Sequence, residues 1–173
     1  MLYWLGLGAN IGDTWATMET ALGWLAGATR LVAVSPAYET APRDLVDQPP
    51  FLNAAVRVET SREPPELLTE AKRLERELGR DPGGVRYGPR AIDCDILLWE
   101  GGEWHDATLD VPHPRLAERR FALLPLLDLD PDLALPDGRS LRAAEARLDP
   151  LDQPARRLDR RLVPRRADGD REL

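Results

Sequence analysis

Residues 51–59, Phe-Leu-Asn-Ala-Ala-Val-Arg-Val-Glu, alternate so regularly that an extended backbone is the natural way to bury them. Leu52, Ala54, Val56 and Val58 share one face of such a strand. Phe51, Asn53, Ala55 and Arg57 share the other, because successive side chains point to opposite sides. One face is core, and the other carries groups that can meet a ligand. Residues 91–99 repeat the pattern, with Ile92, Cys94, Ile96 and Leu98 on one side and Asp93, Asp95 and Leu97 on the other.

Helices to cover such strands are legible around them. A short strand over 2–7 runs into a turn over 8–12, where Asp13 can cap a helix with Trp15, Met18, Leu22 and Leu25 on its apolar face. Residues 31–39 read as extended, with Pro36 marking an edge or a bulge, and 40–50 as a loop. Pro64 and Pro65 suit a helix start, and Leu67, Leu68, Ala71, Leu74 and Leu78 keep helical spacing up to Gly79. A loop with Gly83, Gly84, Gly88 and Pro89 comes next. Residues 115–127 predict a helix, and 141–148 a shorter one. The mixture predicts an α+β or α/β sandwich. The 173 residues have room for one catalytic domain, expected over 1–149. From 150 to 173, arginines and acids crowd out apolar side chains, which predicts a tail that is solvated or partly ordered, with room for one short helical piece, and whose removal leaves activity largely intact.

Charge and residue counts exclude several functions. A net charge of −7 argues against broad nucleic-acid binding. No stretch nears the roughly 18 apolar residues of a membrane span, and the opening residues lack the pattern of a secretory leader, so a soluble cytoplasmic protein is expected. The single cysteine, Cys94, rules out an internal disulfide and fits a reducing compartment, while His105 and His113 offer little to a histidine-based metal site. Lys72 is the only lysine, so no P-loop lysine is available.

Asp93 and Asp95 fall on one sheet face about 7 Å apart along the strand, near enough to converge on a cation. Mg²⁺ takes one or two carboxylates and completes its octahedron with phosphate oxygens and water. An isolated Asp-x-Asp serves as readily to cover a wet sheet face. Here Arg80, Arg86 and Arg90 precede it in a Gly/Pro loop, and arginine forks match phosphate oxygens. That combination suits phosphoryl-type transfer. Two other readings compete. A dinucleotide-binding oxidoreductase is suggested by Gly6, Gly8 and Gly12, but Ile11 stands where the third glycine belongs. A non-catalytic interaction domain would have less use for Asp93, Asp95, Arg80 and Arg90 together.

The run Arg86-Tyr87-Gly88-Pro89-Arg90-Ala91-Ile92-Asp93-Cys94-Asp95-Ile96-Leu97 resembles the signature of the hydroxymethyl-dihydropterin pyrophosphokinases of folate biosynthesis. Gly8-Ala9-Asn10, Tyr38-Glu39-Thr40, the segment from Gln48 to Val56, Val111 to Arg115, Glu118 to Phe121 and Leu135 to Gly138 agree in the same order. The resemblance implies a ferredoxin-like αβα sandwich with a mostly antiparallel sheet and helices on both sides. It implies transfer of pyrophosphate from ATP to a reduced pterin, and a monomer is expected. Asp93 and Asp95 would bind two Mg²⁺ ions, and Arg80 and Arg90 would stabilise charge on the transferred and leaving groups. Phe51 and Phe121 would sandwich the pterin, with Asn53 and the segment bearing Thr40, Pro42 and Arg43 reading its polar edge. Glu75, Arg86, Tyr87, Arg90, Ile96, His113 and Arg119 would line the ATP site. Cys94 replaces a usual aliphatic residue, Tyr87 a tryptophan, and the loop 81–84 lacks a basic residue common in the family.

Overall fold

A computed structural model describes residues 1–79, 83 and 88–166. Its centre is the strand pair β1 (Leu2–Ala9) and β4 (Phe51–Glu59), antiparallel with Leu5 opposite Val56 and Gly8 opposite Asn53. On the far side of β1 lies β5 (Asp93–Trp99), also antiparallel, with Gly6 opposite Asp95 and Gly8 opposite Asp93. The other edge of β4 is shared by β2 (Arg30–Val34) and β3 (Tyr38–Thr40). The break between those two is the expected disturbance at Pro36. Ser35 repairs it, its N–H donating to the Ala55 carbonyl (2.9 Å) and its hydroxyl accepting from the Ala55 N–H (2.8 Å).

Period-two alternation sorts the side chains as expected, and each face of the sheet receives a pair of helices. Tyr3, Leu5 and Leu7 of β1 pack with Leu52, Ala54, Val56, Val58, Cys94 and Ile96. Over this face lie α1 (Thr14–Ala28), through Met18, Leu22 and Leu25, and α2 (Pro64–Glu77), through Leu67, Ala71 and Leu74. Asp13 caps α1 by accepting from the Ala16 N–H (3.0 Å), and a Glu63–Glu66 capping box with Pro64 in the first turn starts α2. Gly79 follows α2 at φ +89°, a left-handed backbone that glycine adopts without steric cost. The opposite face is covered by α3 (Arg120–Leu129) and α4 (Leu141–Glu145), which bury Leu123, Leu126 and Leu141 against Ala55, Leu97 and Leu98. The result is the expected three-layer α+β sandwich with an antiparallel sheet and β-α-β-β-α-β connectivity. A separate two-stranded hairpin, β6 (Trp104–His105) with β7 (Asp110–Val111), packs Val111 and Trp104 against the core on the α1–α2 face.

Three details differ from the sequence reading. Leu98 joins the α3 face rather than the Cys94 face, because the β1–β5 register shifts between Trp4 and Leu5 and an extra residue resets the alternation. The single helix expected over 115–127 is a 3-10 turn (Leu116–Glu118) and then α3, separated by Arg119 in extended backbone (φ −121°, ψ 100°). The order in the segment from 150 on is a strand rather than a short helical piece. Residues Ala155–Arg157 form β8, antiparallel to β3, and Leu162 is buried beside α1. Backbone pairing supplies what composition could not reveal.

Candidate active site

On the α3 side of the sheet β1 presents Gly6 and Gly8, so its central stretch carries no side chains. This bare strip forms the floor of an open cleft. A Cβ on Gly8 would lie 2.8 Å from Asn53 Oδ1, and one on Gly6 would lie 3.1 Å from Leu97 Cδ1. The neighbouring strands supply the chemistry. Asn53 projects from β4, and Asp93 and Asp95 from β5, each pair of positions held opposite the glycines by the register. From the sequence, these glycines suggested only an incomplete dinucleotide fingerprint; mid-strand they form no phosphate-binding turn, which removes that reading's support.

One end of the cleft suits a flat, polar-edged ring. Phe51 and Phe121 line it, with Thr40, Ala41 and Arg43. Buried Asn53 donates through Nδ2 to Thr40 Oγ1 (2.6 Å), which fixes the amide and leaves its Oδ1 toward Gly8. Pro42 lies just outside, lining a small adjacent recess with Phe121 and Gln153.

The other end is charged. Asp93 pairs with Arg90. Desolvation, followed by the neighbouring Asp93 charge, raises the pKa of Asp95 to about 7. His113 and Arg119 line the same end. Arg119 reaches it because the extended break before α3 releases it from helical geometry, and its guanidinium lies 5.5 Å from the centroid of Phe121. Burial, with Arg119 and Arg115 nearby, lowers the pKa of His113 to about 4, so its ring is neutral at neutral pH. Nδ1 accepts from the Arg115 N–H (3.1 Å), which assigns the ring proton to Nε2, where it can donate.

Glu75 and Ile96 stand apart from the cleft lining. Glu75 is buried, bonds Lys72, and accepts the Cys94 N–H through Oε1 (2.9 Å), tying α2 to the outer edge of β5. Ile96 packs its side chain into the α1–α2 core. Arg80, Arg86 and Tyr87 lie outside the described residues. Sequence reasoning missed Asn10, which is buried and ties three segments together. Its Nδ2 donates to Gln48 Oε1 (2.9 Å) and the Pro49 carbonyl (3.0 Å), and its Oδ1 accepts the Arg90 N–H (2.8 Å). Only its place in Gly8-Ala9-Asn10 hinted at this.

Residues 4–131 match the family model of the 7,8-dihydro-6-hydroxymethylpterin-pyrophosphokinases (HPPK). The chain belongs to this family. The 2-amino-4-hydroxy-6-hydroxymethyldihydropteridine pyrophosphokinase of Methylorubrum extorquens is 44% identical over 149 residues, which cover 85% of this chain and 93% of that one. The folic acid synthesis protein fol1 of Schizosaccharomyces pombe is 43% identical over 135 residues, and there the match spans only 18% of the relative's length. A Plasmodium falciparum HPPK-DHPS crystal structure shares the fold with a TM-score of 0.67 at 17% identity, over 84% of this chain and 45% of that one. Within this HPPK chain no helix among the described residues is long and apolar enough to cross a membrane.

Proposed function

We propose that the chain transfers the pyrophosphate group of ATP to the hydroxymethyl group of a reduced pterin, as its family membership supports. The carrying observation is one cleft that joins an aromatic, amide-edged end to an end with paired carboxylates, arginines and a neutral imidazole. The hydroxymethyl oxygen attacks the β-phosphorus, the bond to the oxygen shared with the α-phosphate breaks, and AMP leaves while the hydroxyl proton is released. Positioning and charge compensation are the main demands of such a step.

Phe51 and Phe121 hold the pterin ring by its faces, and Asn53, oriented by Thr40, reads its polar edge, with Pro42 and Arg43 at the rim. Arg90 and Arg119 meet the phosphates, and His113 donates from Nε2. Ile96 and Glu75, on and beside the outer edge of β5, are assigned to the nucleotide side. Arg80, Arg86 and Tyr87 complete the ATP side.

Asp93 and Asp95 are assigned to two Mg²⁺ ions. The donor set fits: both are hard carboxylates on one sheet face, and the raised pKa of Asp95 marks negative charge that a divalent cation would offset. When bound, the ions neutralise phosphate charge. We further take the chain to act as a cytoplasmic monomer away from membranes; its acidic net charge speaks against nucleic acid, and the lone buried cysteine fits a reducing compartment. Incubation with Mg·ATP and 6-hydroxymethyl-7,8-dihydropterin should yield AMP only when the pterin is present. ATP left intact under those conditions would overturn the assignment.

A further inference from the structure

Helix α3 begins without a cap of its own. Arg119, at its N-cap position, provides no side-chain bond to the first turn, although Arg119 and Phe121 on either side of that start are the cleft's cation and aromatic wall. Unpaired N–H groups at a helix start need an acceptor, and an uncapped start is free to fray. The acceptor comes from far along the chain. Gln153 Oε1 receives the Arg120 N–H (2.9 Å), Gln153 Nε2 donates to the Glu118 carbonyl (3.1 Å), and the Gln153 carbonyl accepts from Arg120 Nη1 (3.1 Å). One half-buried side chain thus bridges the residues either side of Arg119.

The same segment grips the facing wall. The Ala41 N–H donates to the Pro154 carbonyl (3.3 Å), and β8 pairs with β3, the strand that delivers Thr40 to Asn53. At the far end of α3, Arg157 Nε donates to Asp128 Oδ2 (3.2 Å), the oxygen that also accepts from the Tyr38 hydroxyl (2.6 Å). Residues 153–157 therefore fasten α3 at both ends to the strand across the cleft from it.

We propose that Gln153 is a positioning residue for the pterin half of the site, acting through the Glu118 and Arg120 backbone to set the start of α3 and with it Phe121. The proposal rests on the pyrophosphokinase reading. Residues 150–157 then belong to the catalytic unit. They lie beyond residue 131, where the family match ends.

The test is steady-state AMP formation by the full-length chain carrying Gln153→Met, which keeps the bulk without hydrogen bonds, and Gln153→Glu, which keeps the acceptor for the Arg120 N–H but loses the donor to Glu118. Gln153→Met should raise KM for the pterin about tenfold, the effect of losing one to two net hydrogen bonds, with KM for ATP shifted far less. Gln153→Glu should fall between Met and wild type. Arg160→Ala, which removes only a cation–π contact to Trp15 on the opposite face, serves as the control with both constants unchanged. An unchanged pterin KM in Gln153→Met, or equal losses for both substrates, overturns the positioning role. A wild-type chain that forms no AMP instead overturns the functional reading, and this inference with it. Should the Met variant fail to fold, the Glu variant decides: a raised pterin KM with KM for ATP shifted far less supports the positioning role, and wild-type pterin KM there overturns it.

Discussion

Individual residues in the cleft differ in how directly the sequence betrays them. Asp93 and Asp95 are legible because a period of two is enough to put them on one face. Asp95→Ala is expected to reduce transfer by on the order of 10³-fold, measured as AMP release, since charge stabilisation dominates such sites. Gly6 and Gly8 were not legible as a floor, because an absent side chain matters only once its cross-strand neighbours are known. Gly8→Ala would set a Cβ 2.8 Å from Asn53 Oδ1 and push the amide off Thr40. Pterin KM should rise by roughly tenfold with the ATP KM little changed, and equal values would show that the strip has spare room. His113 gives a pH signature. Its pKa is about 4 in the fold against 6.5 for the free group. Between those limits the unfolded chain takes up a proton that the folded ring refuses. This contribution to stability is therefore complete above the unfolded pKa and is lost as pH falls through the folded one. Urea unfolding at about pH 7.5 and about pH 4.5 should show wild type losing more stability on acidification than His113→Gln, a variant with no titrating ring.

At the scale of elements, strands with one apolar face and helices with marked ends were readable, and the exceptions share a cause. The bulge near Leu97 lies in the pairing with β1, and the extended break at Arg119 is flanked by bonds to the distant Gln153, so Leu98 and Arg119 move without leaving a local signal. The chain after β8 is similar. Its strap to α1 depends on buried Glu19, whose Oε1 accepts the Val163 N–H (3.3 Å) and whose Oε2 lies 2.8 Å from Arg165 Nε. The Glu19 carbonyl also accepts the Arg165 N–H (2.9 Å), and Leu162 packs into the core. Gly23 permits the approach, since a Cβ there would fall 1.6 Å from the Arg165 carbonyl oxygen. Backbone cannot retreat as a flexible side chain can. Gly23→Ala should therefore lift the strap and cost about 1–3 kcal/mol, seen as a lower Tm and faster proteolysis near residue 160. Both Michaelis constants should hold, because α1 lies on the sheet face away from the cleft. A variant as stable and protease-resistant as wild type would show that the strap does not close on α1.

For the whole molecule, the question is where the catalytic body ends. Composition places the end near residue 149, because residues 150–173 are rich in arginine and acid and poor in apolar groups. The structure divides this stretch differently. Residues 153–157 touch both walls of the cleft through β3 and α3, whereas 158–166 cross the opposite face of the sandwich over α1. Two truncations separate the roles. A chain ending at 157 loses the Glu19 strap and buried Leu162, so its Tm should fall while its pterin KM stays near that of the full chain. A chain ending at 149 also loses β8, the Gln153 bridge and the Arg157 tie to Asp128, and its kcat/KM for the pterin should fall by at least the roughly tenfold expected of Gln153→Met. Steady-state AMP formation below the melting temperature of each form makes the comparison. Equal pterin kcat/KM in the two truncated chains would return the boundary to 149 and leave the arginine-rich segment a stabilising edge alone.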